Sequence, residues 1–183
     1  MSNNSHIMDI GDWVVRQRLP EEHRSARVIL LLHGWTGDEN SMWIFTPRLP
    51  ENYLILAPRG IISTALGGYG WESAGASGWP EAADFQEAIQ GLFDLVDSFK
   101  SQDLDVNKID VMGFSQGAAL AYAMLLQYPE KIGKLAGLSG FLPEGLGDQI
   151  TQNRLAEKQI FISHGLRDGN GILGTSQECC RGV

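Results

Sequence analysis

The chain has 183 residues, of which 43% are hydrophobic and 20% charged, and this composition indicates a globular protein rather than a disordered or fibrous one. Its 14 Lys and Arg against 22 Asp and Glu give a formal net charge of −8, which repels a phosphate backbone and argues against nucleic acid as a partner. The longest aliphatic run, VILLL at 28–32, is too short for a membrane span, and the polar N-terminus lacks the apolar core of a signal peptide. We therefore expect a single cytoplasmic domain over 1–183.

Six apolar segments have the pattern of β-strands. The second of them, RVILLLHG, is continuously apolar, as in a strand that is buried on both faces of a sheet. A Gly- and Ser-rich stretch with interleaved aromatic residues follows the third strand, and long ordered loops of this kind are often functional. The predicted strands are 13–19, 27–34, 52–60, 108–115, 134–140 and 158–165.

Two helices are predicted between these strands. Apolar residues at spacings of three and four from Phe85 to Phe99 predict an amphipathic helix that begins after Pro80. The segment QGAALAYAMLLQY at 116–128 predicts a second helix, apolar nearly all round, as in a central and covered element. Alternating strands and helices predict the α/β class, with a mostly parallel sheet and helices on both faces.

The five residues GFSQG at 113–117 match the G-x-S-x-G motif, in which a serine lies on a sharp turn between a strand and a helix. A side chain on Gly113 or Gly117 would crowd the neighbouring backbone. The turn exposes Ser115 as a candidate nucleophile at the carboxyl end of the sheet, where the helix N-terminus offers backbone N–H groups to a substrate oxygen. An ordinary Gly-bounded turn is the alternative interpretation.

Two further segments supply the other parts of such a site. The backbone N–H of Gln116 is the natural first donor to an oxyanion, and that of Trp35, in the loop after the strand 27–34, is the second. The imidazole of His33 is better interpreted as a group that holds this loop by hydrogen bonds. Asp168 follows the last predicted strand and fits the acid position of a Ser, Asp, His order, although a solvated loop aspartate is the alternative.

No cluster of residues has the spacing of a metal site. Cys179 and Cys180 are adjacent, which suits neither a disulfide framework nor a metal, and we interpret them as two free thiols.

Three stretches, LLHGWTGDE, GFSQGAALA and FISHGLRD, together resemble the α/β-hydrolase family of small carboxylesterases, phospholipases and acyl-protein thioesterases over about 14–168. The resemblance implies a doubly wound parallel sheet, Ser115 as nucleophile, Asp168 as orienting acid, and the N–H groups of Trp35 and Gln116 as oxyanion hole. It also implies that the loop around Trp71 lines the acyl pocket. Members of the family hydrolyse small-molecule carboxylic esters or thioesters without a cofactor, and several form homodimers.

The family pattern continues beyond the aspartate with a helix, a strand and a loop that carries the catalytic histidine. Here 15 residues without histidine follow Asp168, and His164 is the least implausible substitute base. We therefore expect a truncated or frameshifted copy that lacks the last strand and helix and ends in an atypical tail at 169–183; sequencing the gene past codon 183 tests this.

The sequence is consistent with two functions. The first is a serine carboxylesterase that acts on small or medium acyl esters, or on thioesters or lysophospholipids, through an acyl-enzyme. The second is a catalytically impaired hydrolase-fold protein that only binds ligand or has no selected function.

Overall fold

A computed structural model describes residues 5–21, 26–72, 80–100, 104–147 and 155–165. The described strands are β1 (Ser5–Ile10), β2 (Trp13–Arg18), β3 (Arg27–Leu32), β4 (Tyr53–Pro58), β5 (Ile62–Ser63), β6 (Tyr69–Gly70), β7 (Asp105–Phe114), β8 (Ile132–Leu138) and β9 (Gln159–Ser163). The α-helices are α1 (Gln86–Asp97) and α2 (Gln116–Gln127), and short 3-10 helices lie at Trp43–Arg48 and Ala82–Phe85. No helix in this part of the chain is long and apolar enough to cross a membrane.

Seven of the strands form one sheet in the order β1-β2-β4-β3-β7-β8-β9. β3 pairs in parallel with β4 and β7, and the parallel ladder continues from β7 to β8 and from β8 to β9. The pairs β1-β2 and β2-β4 are antiparallel. The mostly parallel α/β sheet predicted from the sequence is therefore confirmed.

After Arg27 the central strand β3 is apolar because each of its faces packs against a different layer. Leu30 and Leu32 belong to a core that also contains the buried faces of α1 and α2. Leu31 points to a smaller core with Ile55, which the 3-10 helix Trp43–Arg48 covers. Each such fully buried side chain stabilises the fold by about 1.5–3 kcal/mol.

Two features of the structure carry no sequence signal strong enough to predict them. β1 is an edge strand whose residues 6–9 are exposed, so it shows no core-facing pattern. It turns into β2 through Gly11, whose φ of +59° suits a tight turn. The two-residue strands β5 and β6 pair within the Gly- and Ser-rich stretch and are too short to show alternation.

The order of strands reverses around β3. From β3 the chain passes to β4 on one side and later to β7 on the other. In open parallel sheets, ligands bind in the crevice beyond the carboxyl ends of the strands at such a reversal. The residues that directly follow β3 and β7 are His33 and Ser115, so the fold brings two of the candidate segments to one crevice.

Candidate active site

Ser115 lies between the last residue of β7 and the first residue of α2. Its φ of 52° and ψ of −115° lie in a region that residues other than glycine rarely adopt. The surroundings hold it there, because its N–H donates to the carbonyl oxygen of Leu138 at 2.9 Å and its own carbonyl accepts from Ala118 and Ala119. The side chain is half-exposed, so the sharp turn presents the hydroxyl at the crevice.

The two glycines of the motif are required by close backbone packing, as predicted. A Cβ atom on Gly113 would overlap the carbonyl oxygen of Gly117. A Cβ atom on Gly117 would overlap the carbonyl oxygens of Leu32 and His33, at the end of β3. The turn after β7 therefore packs directly onto the neighbouring strand, with no room for a side chain at either position.

The loop of residues 33–38, here called the oxyanion loop, lies against the serine. A Cβ atom on Gly34 would be 3.3 Å from the Cβ atom of Ser115. The loop is a tight turn, in which Gly37 N–H donates to the Gly34 carbonyl at 3.0 Å and Thr36 has a φ of 65°. Among the described residues, no group accepts a hydrogen bond from the backbone N–H of Trp35 or Gln116. Two backbone donors without an acceptor among the described residues thus lie on the segments that meet at the half-exposed Ser115, an arrangement able to bind negative charge on a substrate oxygen.

His33 is buried and structural, in agreement with the interpretation from sequence. Its Nε2 accepts a hydrogen bond from Gly60 N–H at 2.8 Å, so Nδ1 carries the proton and donates to the Gly34 carbonyl at 2.8 Å. Burial lowers the pKa of the imidazole because the charged form loses its hydration. With its basic nitrogen already occupied, this histidine is not available to take a proton from Ser115.

Trp71 lies in the core beside the turn. Its side chain is 0% exposed, and its ring packs 4.7 Å from that of His33 and 6.4 Å from that of Trp13, between centroids. Its indole N–H donates to the His33 carbonyl at 2.7 Å. The ring therefore braces the oxyanion loop from within the protein, and the predicted contact between Trp71 and an acyl chain stays a prediction.

The side chain of Gln116 forms a second brace that sequence reasoning missed. It is buried, its Oε1 accepts from the backbone N–H of Trp71 at 3.1 Å, and its Nε2 donates to Glu72 Oε1 at 2.9 Å. No local sequence signal marks these contacts, since the partners lie 44 and 45 positions away along the chain.

An ion pair fixes the far side of the oxyanion loop. Arg59, which follows β4, donates from Nε and Nη2 to the two carboxylate oxygens of Glu39 at 2.8 and 3.0 Å. These hydrogen bonds lower the pKa of the Glu39 carboxyl below its usual value. The guanidinium also lies 4.7 Å from the ring centroid of Tyr69, whose N–H donates to the Gly37 carbonyl.

Of Asp168 and the three histidines other than His33, the structure describes only His164 and His6. Asp168 lies outside the described residues, as do His23 and the tail 169–183. His164 follows β9, two strands from β7, which corresponds to about 10 Å at the spacing of strands in a sheet. His6 lies on β1 at the opposite edge of the sheet. Among the described residues, no three His, Cys, Asp or Glu side chains are grouped as a metal ion would require.

Comparison with known proteins gives the family. Residues 18–170 match the model of the Phospholipase/Carboxylesterase family. Acyl-protein thioesterase 1 of Debaryomyces hansenii is 33% identical over 161 residues, which cover 76% of this chain and 68% of that protein. The protein of the same name from Kluyveromyces lactis is 31% identical over 168 residues, which cover 79% of this chain and 70% of that protein.

A solved structure supports the same fold. The crystal structure of the Bacillus cereus carboxylesterase superposes with a TM-score of 0.76 at 21% identity, covering 93% of this chain and 79% of that one. At such a low identity the superposition supports the fold alone. The family assignment depends on the family model, which matches most of the chain. The chain therefore belongs to the phospholipase/carboxylesterase family of α/β hydrolases.

Proposed function

We propose that the protein hydrolyses carboxylic esters or thioesters with Ser115 as the nucleophile and the backbone N–H groups of Gln116 and Trp35 as the oxyanion hole. The observation that carries the proposal is the backbone of Ser115, whose φ of 52° presents the hydroxyl at a helix N-terminus directly beside Gly34. A positive φ on a half-exposed serine costs about 1–3 kcal/mol, and such strain clusters at functional sites.

The chemistry proceeds in two displacements. The Ser115 oxygen attacks the carbonyl carbon, its proton leaves to a base, and the two N–H groups stabilise the negative charge on the carbonyl oxygen. The bond to the leaving alcohol or thiol then breaks, that group takes up the proton, and an acyl-serine remains. Water attacks the acyl-serine in the same way, which releases the carboxylic acid and restores the hydroxyl.

Asp168 is assigned to the acid that orients a base, a role that rests on its place after β9 in the sequence. The base is assigned neither to His33, which is engaged with Gly60, nor to His164, which lies about two strands from Ser115. Free imidazole in the buffer is able to act as an external base. We expect it to accelerate acylation of the 183-residue chain in a manner that depends on Ser115.

The surface beside the hydroxyl supports an apolar acyl group. Phe114 is 44% exposed, and a Cβ atom on Gly34 would lie 3.0 Å from its ring and 3.3 Å from the Cβ atom of Ser115. Trp35, which follows Gly34, is 45% exposed. Exposed aromatic residues on the segments that meet at Ser115 favour a small or medium acyl chain on a small-molecule ester. Thioesters and lysophospholipids are the alternatives to a simple ester, and thioesters agree with the names of the relatives.

The test compares two serines of similar backbone. Ser139 follows β8 and also has a positive φ, of 47°, so Ser139→Ala is a matched control for Ser115→Ala. The substrates are p-nitrophenyl butyrate and the thioester S-phenyl thiobutyrate, each measured with and without imidazole. We expect turnover of both to vanish in Ser115→Ala and to persist in Ser139→Ala. Turnover that survives Ser115→Ala would overturn the assignment of the nucleophile.

A second candidate function is ligand binding without catalysis. It is favoured by one observation, the engagement of the His33 imidazole in hydrogen bonds to Gly60 and Gly34. Folded protein that binds butyl esters but shows neither turnover nor fluorophosphonate labelling, with imidazole present, would support it. A cytoplasmic location and a homodimer stay predictions, which cell fractionation and sedimentation test.

A further inference from the structure

The segment 69–72, here called the bridging segment, contacts both halves of the candidate oxyanion hole. A Cβ atom on Gly70 would meet the Trp35 ring at 2.5 Å or closer. It would also lie 3.2 Å from Oε1 of Gln116. The bridging segment therefore packs against the residue that carries one N–H donor and against the side chain of the residue that carries the other.

Hydrogen bonds tie the bridging segment to both halves. The backbone N–H of Trp71 donates to the Gln116 side chain, and the Trp71 indole N–H donates to the carbonyl of His33, two residues before Trp35. His33 is held in turn by Gly60 N–H. A continuous chain of hydrogen bonds thus links the start of α2 to the oxyanion loop.

These hydrogen bonds lie where water does not compete for them. Trp71, His33 and Gln116 are exposed by 0, 1 and 5%. A buried donor or acceptor that loses its partner pays the full cost of its lost hydration, so each bond strongly resists displacement of its partners. These buried hydrogen bonds therefore restrain how far apart the two N–H donors lie.

We propose that the Trp71 indole and the Gln116 side chain are positioning residues that set the distance between the two oxyanion-hole donors. The inference rests on the proposed function, because it needs an oxyanion at Ser115. It also gives Trp71 a role that requires no contact with substrate. An oxyanion hole works only when its donors lie about 2.7–3.1 Å from the charged oxygen, so a shift of one donor lowers the rate of the chemical step more than the affinity for the ground state.

The variants separate this role from general packing. Trp71→Phe keeps an aromatic ring but removes the hydrogen bond to His33, and Gln116→Met removes both side-chain hydrogen bonds while the backbone N–H remains. The matched control is Trp13→Phe. It makes the same Trp-to-Phe change in the ring that packs against Trp71. Gly70→Ala disturbs the bridging segment where it packs against the Trp35 ring. Its control is Gly147→Ala, where an added Cβ atom meets nothing within 4 Å.

The readout is saturation kinetics of Ser115 phosphonylation by an alkyl fluorophosphonate at one fixed imidazole concentration. We expect Trp71→Phe and Gln116→Met to lower the maximal labelling rate by about ten- to a hundredfold, with half-saturation within about twofold of the wild type. Trp13→Phe and Gly147→Ala should change neither quantity by more than about twofold. A variant that melts below the assay temperature is replaced by Gly70→Ala, for which the same loss of rate is expected.

The outcomes for the inference and for the proposed function are distinct. If wild-type Ser115 is labelled and Trp71→Phe and Gln116→Met label as fast as Trp13→Phe, the positioning role is wrong while the nucleophile stands. If the rate and the half-saturation change together in proportion to the loss of melting temperature, the role is structural and the inference also fails. If Ser115→Ala is labelled like the wild type, the proposed function itself fails.

Discussion

The indole N–H of Trp71 donates a 2.7 Å hydrogen bond to the carbonyl oxygen of His33, and a core tryptophan thereby holds the loop that packs against Ser115. The same His33 accepts a hydrogen bond from Gly60. The oxyanion loop is thus fixed from the bridging segment and from the end of β4, before any substrate arrives. Such preorganisation is what electrostatic stabilisation of an oxyanion requires.

The strained backbone of Ser115 predicts a trade between stability and activity. Glycine adopts a φ of 52° without the strain that a serine pays there. We therefore expect Ser115→Gly to raise the free energy of unfolding by about 1 kcal/mol. Labelling by a fluorophosphonate should disappear in the same variant. Urea denaturation measures the first effect, and a loss of stability in Ser115→Gly would contradict the view that this residue is strained.

The buried His33 predicts a dependence of stability on acid. Its folded-state pKa lies below the ordinary value of 6.5, so its neutral form stabilises the fold fully above that pH. As the pH falls the unfolded chain takes up the proton first, and this stability is lost progressively down to the folded-state pKa. We expect the melting temperature to fall from neutral pH to about pH 5, and to fall less in His33→Gln, whose amide replaces both hydrogen bonds without titrating. Equal pH dependence of the two proteins would contradict this account.

The ion pair between Glu39 and Arg59 predicts a further acid-sensitive contribution. The folded-state pKa of Glu39 is depressed from 4.5, so the contribution is present above pH 4.5 and is lost as the pH falls through the folded-state value. Because the Glu39 side chain is buried, we expect Glu39→Gln to lower the free energy of unfolding by about 2 kcal/mol near neutral pH.

The exposed pair of Asp97 and Lys100 provides the control for that measurement. Its two side chains are 47 and 59% exposed, and Asp97→Asn should change stability by less than about 0.5 kcal/mol. Similar effects of Glu39→Gln and Asp97→Asn in urea denaturation would show that the first pair does not anchor the oxyanion loop.

Tyr53 predicts the behaviour at alkaline pH. Its hydroxyl donates to Asp110 at 2.7 Å, and burial together with this carboxylate raises the pKa of Tyr53 to about 12. The protonated phenol therefore stabilises the fold below pH 10, and this contribution is lost as the pH rises towards 12. We expect Tyr53→Phe to be less stable by about 1 kcal/mol at neutral pH and to lose less stability on going to alkaline pH. If the free energies of unfolding of the wild type and Tyr53→Phe changed equally between neutral and alkaline pH, the role given to the Tyr53 hydroxyl would be contradicted.

The sequence predicts the sheet and the sharp turn well because both depend on local patterns. The continuous apolar run VILLL and the glycines near Ser115 are visible in the sequence without any knowledge of distant contacts. The same reasoning predicts that the His33 imidazole holds its loop, as the structure confirms.

The missed features depend on contacts that sequence does not show. β1 is an edge strand whose residues 6–9 are exposed, so they show no alternating apolar pattern. The side-chain bonds of Gln116 join it to residues 44 and 45 positions away, and only the folded chain brings them together. The complete burial of Trp71 is likewise not visible in its Gly-rich surroundings in the sequence, and its contact with an acyl chain stays a prediction.

Peptide mapping by mass spectrometry after incubation with an alkyl fluorophosphonate and imidazole tests the central claim most directly. The account predicts one adduct, on Ser115, that is absent in Ser115→Ala and retained in Ser139→Ala. An adduct on another residue with Ser115 unmodified, or a folded wild-type protein with no adduct, would contradict the claim that Ser115 is the nucleophile.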